Sequence, residues 1–318
     1  MIPRRAWLLG ALASGLGGCA VFADPPQSAA LALSPPAGLV PQAELRAVPF
    51  FPQTPYHCGP AALATVLVHA GLPATPEQLA DAVFLPSREG ALQAEMLAAS
   101  RRFGALAVQL SPQLVTLLSE IAAGNPVLVL QNLGLAFAPQ WHYAVVVGYD
   151  LGARELVLRS GINERERMGF VLFERTWARG MHWAFVALPP GRLPATATEV
   201  DAVQAAIGFE RVAAPALALR AYDSIVTRWP GNALAGLGQG NTRFAGGDLT
   251  GAAQAFERVA SQHDSAAAWH NLAVTRLQMG QREAARQAAW RALARARTDE
   301  PAWLAAAEAL SRQLQVAP

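Results

Sequence analysis

The sequence predicts two folded regions, an α+β domain followed by an all-α helical repeat domain. Apolar runs with helical spacing occupy the chain from about residue 58 to residue 124, and short runs rich in β-branched residues follow between residues 126 and 188. A helical half followed by an antiparallel sheet is typical of the α+β class. From about residue 200 the sequence is alanine-rich, helical in pattern and repetitive, which predicts the second region.

Composition is compatible with both regions and argues against several kinds of function. The chain has 318 residues, of which 53% are hydrophobic and 15% charged, so it has enough apolar residues for two substantial cores. The formal net charge is only +2, and no basic face carries interleaved aromatic residues, so no nucleic-acid partner is expected. The six histidines form no His-x-x-x-His pair and the two cysteines form no Cys-x-x-Cys pair, and we therefore predict no metal site and no cofactor.

The first 23 residues are predicted to be an export signal and the start of a tether. Two arginines precede an apolar stretch, residues 6–16, that is too short to span a bilayer. The next residues, Leu16-Gly-Gly-Cys19, resemble the bacterial lipobox, which implies cleavage before Cys19 and lipidation of its sulfur. With Ala20 following, the resemblance implies a lipid-anchored protein of the bacterial cell envelope, in the outer membrane and facing the periplasm. An ordinary signal peptide cut after Ala23 is the alternative.

Four further segments follow the export signal. Residues 24–44 hold five prolines among alanine, serine and leucine, and we expect them to be a semi-extended tether to the membrane. The α+β domain is assigned to residues 45–190. A proline-rich stretch begins at its end and predicts a linker at residues 191–199, and the repeat domain then occupies residues 200–318.

Four helices are predicted in the first half of the α+β domain from local start and stop signals. The first starts at Cys58, has a proline in its first turn and ends before Gly71. Thr75 caps the second, with proline and glutamine in the positions of a capping box. The third and fourth are expected at residues 91–103 and 111–124, each ending at a glycine.

Five strands are predicted in the second half of this domain. Short runs of β-branched and aromatic residues between turn residues are typical of strands, and Asp150 to Arg154 has the composition of a hairpin turn. The strands are expected at residues 126–130, 142–150, 155–159, 170–173 and 183–188.

Cys58 is the candidate nucleophile. It is one of two cysteines and stands in Gln53-Thr-Pro-Tyr-His-Cys58-Gly-Pro-Ala, directly before an apolar helical run. A cysteine at a helix start meets unpaired backbone N–H groups and the positive end of the helix dipole, which favour the thiolate that attacks carbonyl carbon. The alternative role for such a cysteine is that of a small buried apolar residue. If Cys19 is lipidated, Cys58 is left as a single thiol without a disulfide partner.

His142 is the preferred general base among the six histidines. Both His142 and His182 precede an aromatic residue and an apolar strand. The strand of the first is longer, and its alternation puts Ala144, Val146 and Gly148 on the face of the imidazole, which predicts room for a substrate there. His182 is the alternative base; otherwise it is a partly buried histidine at a strand end.

Together, Gln53, Cys58-Gly-Pro-Ala and the segment His142 to Asp150 resemble the C39 group of papain-like cysteine peptidases, across about residues 47–188. The resemblance implies an α+β papain-like cysteine peptidase domain that cleaves a peptide bond of a peptide or protein substrate. It further implies that Cys58 is the nucleophile, His142 the general base and then acid, and Gln53 an oxyanion-hole donor beside the Cys58 backbone N–H.

One position departs from the pattern of that family. Its members usually carry an aspartate on the strand after the histidine, where it orients the imidazole. Allowing for a longer hairpin, Ser160 occupies that position here, and Asn163 is an alternative orienting residue. A neutral oxygen still fixes the imidazole tautomer but stabilises the imidazolium less than a carboxylate does.

The C-terminal region contains an internal repeat. Tyr222, Phe256 and Trp290 are spaced 34 residues apart, which resembles tetratricopeptide repeats. An unspecific alanine-rich helical bundle is the alternative. A glycine-rich stretch, residues 236–240, lies inside this helical pattern and not after a strand, so it is not a phosphate loop. Stacked repeats form a concave face, which predicts binding of a peptide or protein partner.

Two hypotheses for the whole chain follow. In the first, it is an exported, membrane-tethered cysteine peptidase whose repeats recruit a substrate or partner. In the second, the peptidase-like domain is catalytically inactive and the molecule is an envelope scaffold that binds peptides or proteins. Ser160 at the aspartate position favours the second, whereas the presence of Gln53, Cys58 and His142 favours the first.

Overall fold

The computed structural model describes residues 24–53, 57–85 and 90–315. The export signal and Cys19 therefore lie outside the described residues. The helices are α1 Pro26–Leu33, α2 Cys58–His69, α3 Pro76–Val83, α4 Gln93–Arg102, α5 Leu114–Ala122, α6 Phe170–Arg179, α7 Glu199–Glu210, α8 Pro215–Arg228, α9 Ala233–Ala245, α10 Leu249–His263, α11 Ala266–Gln278, α12 Arg282–Thr298 and α13 Leu304–Leu314. The strands are β1 Gln42–Glu44, β2 Leu106–Gln109, β3 Val127–Asn132, β4 Trp141–Asp150, β5 Glu155–Ser160, β6 Asn163–Gly169 and β7 Ala184–Leu188.

An antiparallel sheet forms the centre of the first domain and confirms the predicted α+β class. Its strand order is β2-β7-β3-β4-β5-β6, and β1 pairs with β4 beside this path. One face of the sheet packs against α2, α3 and α4, and the other packs against α5, α6 and α7. Both faces of the central strands are covered, which explains why β3 and β4 are continuous apolar runs.

The helix α2 that carries Cys58 is buried over most of its length. All residues from Gly59 to Leu67 are buried, as expected for a helix that is apolar on every side. Gly71 follows it with φ of +78°, a conformation that glycine adopts without strain, so the chain leaves the helix there as predicted. At the start of α3, Thr75 and Gln78 form the predicted capping box.

Residues 24–44 differ from the expected semi-extended tether, because they contain α1 and β1. The carboxylate of Glu174, on α6, accepts hydrogen bonds from the backbone N–H groups of Gln27 and Ser28 and from the Ser28 hydroxyl. These two residues lie in the first turn of α1, where N–H groups have no partner within the helix. A buried anion supplied by a distant part of the chain thus holds α1 on the domain, and sequence composition does not reveal it.

The strand predicted at residues 170–173 is wrong, since these residues begin α6. Phe170, Phe173 and Trp177 are buried, with the spacing of one helical face. The helical period of the apolar residues is visible only when the sequence is followed as far as Trp177. The four residues 170–173 are too few to show it. The predicted turn between Asp150 and Arg154 is present and joins β4 to β5, with Arg154 at φ of +57°.

The C-terminal region is all-helical, with each helix from α7 to α13 packed against the next, which is consistent with repeats. Glycines make the packing around α9 close. A Cβ atom at Gly238 would lie 2.3 Å from Cζ of Tyr222, and one at Gly240 would lie 2.3 Å from Cε1 of Phe256. Both aromatic rings are buried, whereas Trp290, at the third position of the 34-residue pattern, is 54% exposed. Terminal units of stacked repeats are often atypical in this way.

The linker expected at residues 191–199 is bound to the first domain. The buried carboxylate of Glu120, on α5, accepts hydrogen bonds from the backbone N–H groups of Ala195 and Thr196 and from the Thr196 hydroxyl. The next helix, α7, then packs on β2 and contributes to the core of the sheet. The helices of residues 24–53, 57–85 and 90–315 include none that is both long and apolar enough to cross a membrane.

Candidate active site

Cys58 is the first residue of α2, at the end of the helix that faces the β4–β5 part of the sheet. Its side chain is partly buried against the core formed by α2, α3, α4 and the sheet. Its sulfur accepts a hydrogen bond from the backbone of Tyr143 and lies near the backbone N–H groups of Gly59 and of Cys58 itself. Because Tyr143 directly follows His142 on β4, this contact brings the nucleophile beside the strand that carries the predicted base.

Gln53 is held at the same point of β4. Its Nε2 donates to the carbonyl oxygen of Tyr143 at 3.3 Å, and its Oε1 accepts from the backbone N–H of Gly161 at 3.0 Å. Its own backbone N–H also donates to the Gly161 carbonyl oxygen. These bonds fix both ends of the amide, so the second N–H of Nε2 is left for another acceptor.

His142 and Ser160 are joined by a direct hydrogen bond. Nε2 of His142 lies 2.9 Å from Oγ of Ser160, which is 6% exposed at the end of β5. Asn163 pairs with Ser160 across the β5–β6 turn, but its side chain is exposed. The sequence left both as candidates for the orienting position, and Ser160 is the one in contact with the imidazole.

His182 lies in a different environment. It follows α6, with φ of +52°, and its ring packs edge-on against Trp177 at a centroid distance of 4.7 Å. Its Nε2 is buried and has no hydrogen-bond partner among the described residues. His182 is therefore a packed histidine of the turn before β7, and it does not share the contacts that surround Cys58.

One expectation about His142 is wrong. Ala144 and Val146 share its strand face, but both are fully buried in the core under α5 and α6. They do not form room for a substrate. At the start of β4, in contrast, Trp141 is exposed and His142 is only partly buried.

Burial makes both members of the Cys–His pair less easily charged. Burial raises the pKa of the Cys58 thiol. The backbone groups of Tyr143, Gly59 and Cys58 lower this pKa, but by less. The expected lowering of the thiol pKa by the helix start is therefore outweighed by burial. Burial also lowers the pKa of His142, with Glu166 acting in the opposite direction. Both shifts favour a neutral thiol and a neutral imidazole over a thiolate and an imidazolium.

Two supporting residues were missed from the sequence. Glu166, on β6 opposite Leu158, is the charged group whose field raises the pKa of His142. Arg159 is buried, and its guanidinium donates to the carbonyl oxygens of Val48 and Glu164. It thereby ties the segment that leads to Gln53 onto the β5–β6 hairpin. An arginine that directly follows the apolar run Leu156–Leu158 inside a strand is the signal that would have identified it.

In the described part of the chain, no group of three or more His, Cys, Asp or Glu side chains is arranged to hold a metal ion. The described groups that are available for chemistry at this site are side chains and backbone N–H groups. They comprise a thiol at a helix start, an imidazole held by a hydroxyl, and an amide with a free N–H beside them. This is the set of groups that nucleophilic acyl transfer requires.

Comparisons with known proteins identify similar proteins for the part of the chain that contains these residues. Residues 45–179 match the model of the Peptidase_C39 like family. No curated protein sequence matches the chain. Among solved structures, a C39-like peptidase from Bacillus anthracis is 19% identical, with 46% of this chain and 97% of that chain covered and a TM-score of 0.38. A double glycine motif protease from an AMS/PCAT transporter, solved in complex with the leader peptide, is 20% identical, with coverages of 45% and 91% and a TM-score of 0.34. By its match to the family model, the segment of residues 45–179 is a C39-like peptidase domain.

Proposed function

We propose that this chain is an exported, membrane-tethered cysteine peptidase that cleaves a peptide bond of a peptide or protein through a Cys58 acyl-enzyme. The observation that carries the proposal is the set of contacts at the start of β4. Cys58 and Gln53 both bind the backbone of Tyr143, and the adjacent His142 bonds Ser160. A buried cysteine that merely fills space needs none of these polar neighbours.

The proposed reaction starts from the neutral pair. In this scheme the Nε2–H of His142 donates a hydrogen bond to Ser160, which leaves the lone pair on Nδ1 free. Nδ1 then takes the proton of the Cys58 thiol. The sulfur then attacks the substrate carbonyl carbon, and the oxyanion is stabilised by the free N–H of Gln53 and the backbone N–H of Cys58. The C–N bond breaks as the imidazolium gives its proton to the leaving amine. Water, deprotonated by His142, finally hydrolyses the thioester.

Ser160 has a defined part in this scheme. Its hydroxyl holds the imidazole in one orientation and one tautomer, which is the positioning role of the third residue in such sites. It carries no charge, so it stabilises the imidazolium less than an aspartate would. Glu166 supplies part of the missing field from the next strand. We therefore expect a slow peptidase.

We also propose that a lipid at Cys19 keeps the domain close to the membrane. Because the backbone N–H of Gln27 is bound to Glu174, at most residues 20–26 separate Cys19 from the anchored start of α1. A fully extended chain from Cys19 to Gln27 would reach about 28 Å. In this proposal the C-terminal helices bind the protein substrate or a partner, since stacked helical repeats form extended binding surfaces.

A specific observation favours the alternative of an inactive, peptide-binding scaffold of the envelope. Burial shifts the pKa values of Cys58 and His142 in the directions that disfavour the thiolate–imidazolium pair, and no aspartate among the described residues hydrogen-bonds the imidazole. Such a protein would bind peptides beside Cys58 and leave them intact.

Labelling with a peptidyl vinyl sulfone separates the two functions, because it requires both a nucleophile and a peptide cleft. We expect the wild-type chain to be labelled at Cys58, and His142→Ala to slow labelling by roughly 10²-fold, the contribution of a general base. His182→Gln is the matched control and should label like the wild type. Equal labelling rates for wild type and His142→Ala would support the scaffold and reject the peptidase.

The lipid anchor is tested separately. Expression in a bacterium fed with radioactive palmitate should label the wild-type chain and leave Cys19→Ser unlabelled and released from membranes. Label retained by Cys19→Ser would reject lipidation at this residue, and it would not affect the peptidase proposal.

A further inference from the structure

A groove of about 740 Å³ lies where the peptidase domain meets the first helix of the C-terminal region. It is formed by α4, β2, the turn after β2, and α7. Three strand spacings separate β2 from β4 in the sheet, which is about 14 Å, so the groove is distinct from the Cys58 site. Its volume is in the range of sites that bind small molecules, and such sites are common between domains.

Two arginines face this groove without an acidic partner. Arg101 comes from α4 and Arg211 directly follows α7, and their positive charges repel each other. Among the described residues, neither guanidinium forms an ion pair or a hydrogen bond, and Nε of Arg101 is buried with no partner. Asp201 also lines the groove, but its carboxylate accepts a hydrogen bond from the Thr198 hydroxyl.

The backbone of α7 is adapted to this guanidinium. A Cβ atom at Gly208 would lie 2.7 Å from Cζ and 2.9 Å from Nη1 of Arg101. With glycine at this position the guanidinium lies against the backbone of α7, although glycine inside a helix costs about 1 kcal/mol relative to alanine. A buried, unpaired donor and a like-charged neighbour are unfavourable for folding, so the arrangement calls for an acceptor from outside the chain.

The other residues that line the groove indicate the chemical character of the rest of the ligand. Apolar side chains in the lining include Leu97, Leu110 and Ile207, and polar ones include Gln109, Ser111 and Gln204. Leu97 and Ile207 come one helical turn before Arg101 and Arg211, respectively, so apolar surface lies next to each guanidinium.

We propose that this groove binds a small amphipathic anion, with a carboxylate or phosphate head between Arg101 and Arg211 and an apolar body along Leu97, Leu110 and Ile207. Arginine guanidinium groups bind both head groups through paired N–H donors. The bound anion cancels the repulsion between the arginines and links the peptidase domain to α7. The proposal is independent of the function of Cys58.

The test is isothermal titration of the full soluble chain with four probes: hexanoate, hexyl phosphate, inorganic phosphate and hexanol. We expect hexanoate or hexyl phosphate to bind at least about tenfold more tightly than inorganic phosphate or hexanol, and the stronger of the two identifies the head group. Binding of neither amphipathic probe would overturn the proposal. Inorganic phosphate binding as tightly as hexyl phosphate would overturn its apolar part.

Variants locate the site. Arg211→Gln changes an exposed residue, so we expect it to fold and to weaken binding by roughly tenfold or more. Arg101→Gln should weaken binding equally and, without ligand, should melt at the same or a higher temperature because an unpaired buried donor is removed. Arg282→Gln, at an exposed arginine of α12, is the matched control. Equal binding by all three variants would place the anion elsewhere and reject the proposal.

Discussion

The substitution Ser160→Asp restores the carboxylate that this site lacks, and it tests the reasoning about His142 most directly. A neutral hydrogen bond such as the 2.9 Å contact between His142 and Ser160 contributes about 1 kcal/mol, whereas one to a charged group contributes about 1.5–3 kcal/mol. The position is only 6% exposed, so desolvation of the new carboxylate offsets part of the larger Coulombic attraction. We expect the carboxylate to stabilise the imidazolium by about 1–2 kcal/mol more than the serine hydroxyl does. This difference corresponds to a roughly 5- to 30-fold higher rate of Cys58 labelling.

The sign of the pH effect follows from the same interaction. Burial lowers the pKa of His142, and the negative charge of a carboxylate at Nε2 raises that pKa again. The base must be neutral to accept the Cys58 proton, so the acidic limb of the labelling profile is expected to move to higher pH. Ser160→Ala leaves the imidazole N–H without its partner, which we expect to lower the plateau rate by roughly 5- to 100-fold.

The assay is the rate of Cys58 labelling by a peptidyl vinyl sulfone, measured from acidic to neutral pH for each variant. Ser119→Ala is the matched control, since this serine hydroxyl bonds a carbonyl oxygen within α5. A merely structural role for Ser160 would change the melting temperature and leave the pH profile in place. If Ser160→Asp moves neither the plateau nor the acidic limb, Ser160 does not position His142.

Three further predictions concern packing and buried anions. Gly238→Ala puts a Cβ atom 2.3 Å from the buried Tyr222 ring and is expected to lower the free energy of unfolding by about 1–3 kcal/mol in urea titration, whereas Gly231→Ala, with nothing near its Cβ, should change it little. Glu174→Ala removes the acceptor of the first turn of α1, so the amide hydrogens of Gln27 and Ser28 should exchange with solvent faster; unchanged exchange would contradict the proposed anchoring. Glu120→Ala should speed exchange at Ala195 and Thr196 and lower the melting temperature, and Glu283→Ala, at an exposed carboxylate, is the comparison; equal melting temperatures for the two variants would refute the role of Glu120.

Local signals in the sequence predicted much of the fold, because they depend on residues that are neighbours along the chain. Cys58 begins α2, Thr75 caps α3, and Gly71 and Gly124 end helices with positive φ, as expected. The long apolar strand from residue 142 to 150 was also identified, since burial on both faces leaves a continuous apolar run. The order of Gln53, Cys58 and His142 was enough to indicate the peptidase family.

Long-range contacts decided the features that the sequence did not predict. In the proline-rich segment 24–44, α1 is held by Glu174, about 150 positions away, and β1 is held by pairing with β4. The strand face that carries His142 is buried under α5 and α6. Alternation alone does not predict this burial, because helices cover some sheets on one face and others on both.

By itself, the sequence determined which chemical groups this protein possesses and which elements carry them, since helix starts, helix stops and strand patterns are local properties. Only the tertiary structure decided which groups meet and how charged they are. It joined Ser160 to His142, surrounded Cys58 so that burial raises its pKa, and set Arg101 beside Arg211 without a carboxylate. Hydrogen-bond partners and desolvation depend on distances between remote segments, and these distances exist only in the folded chain.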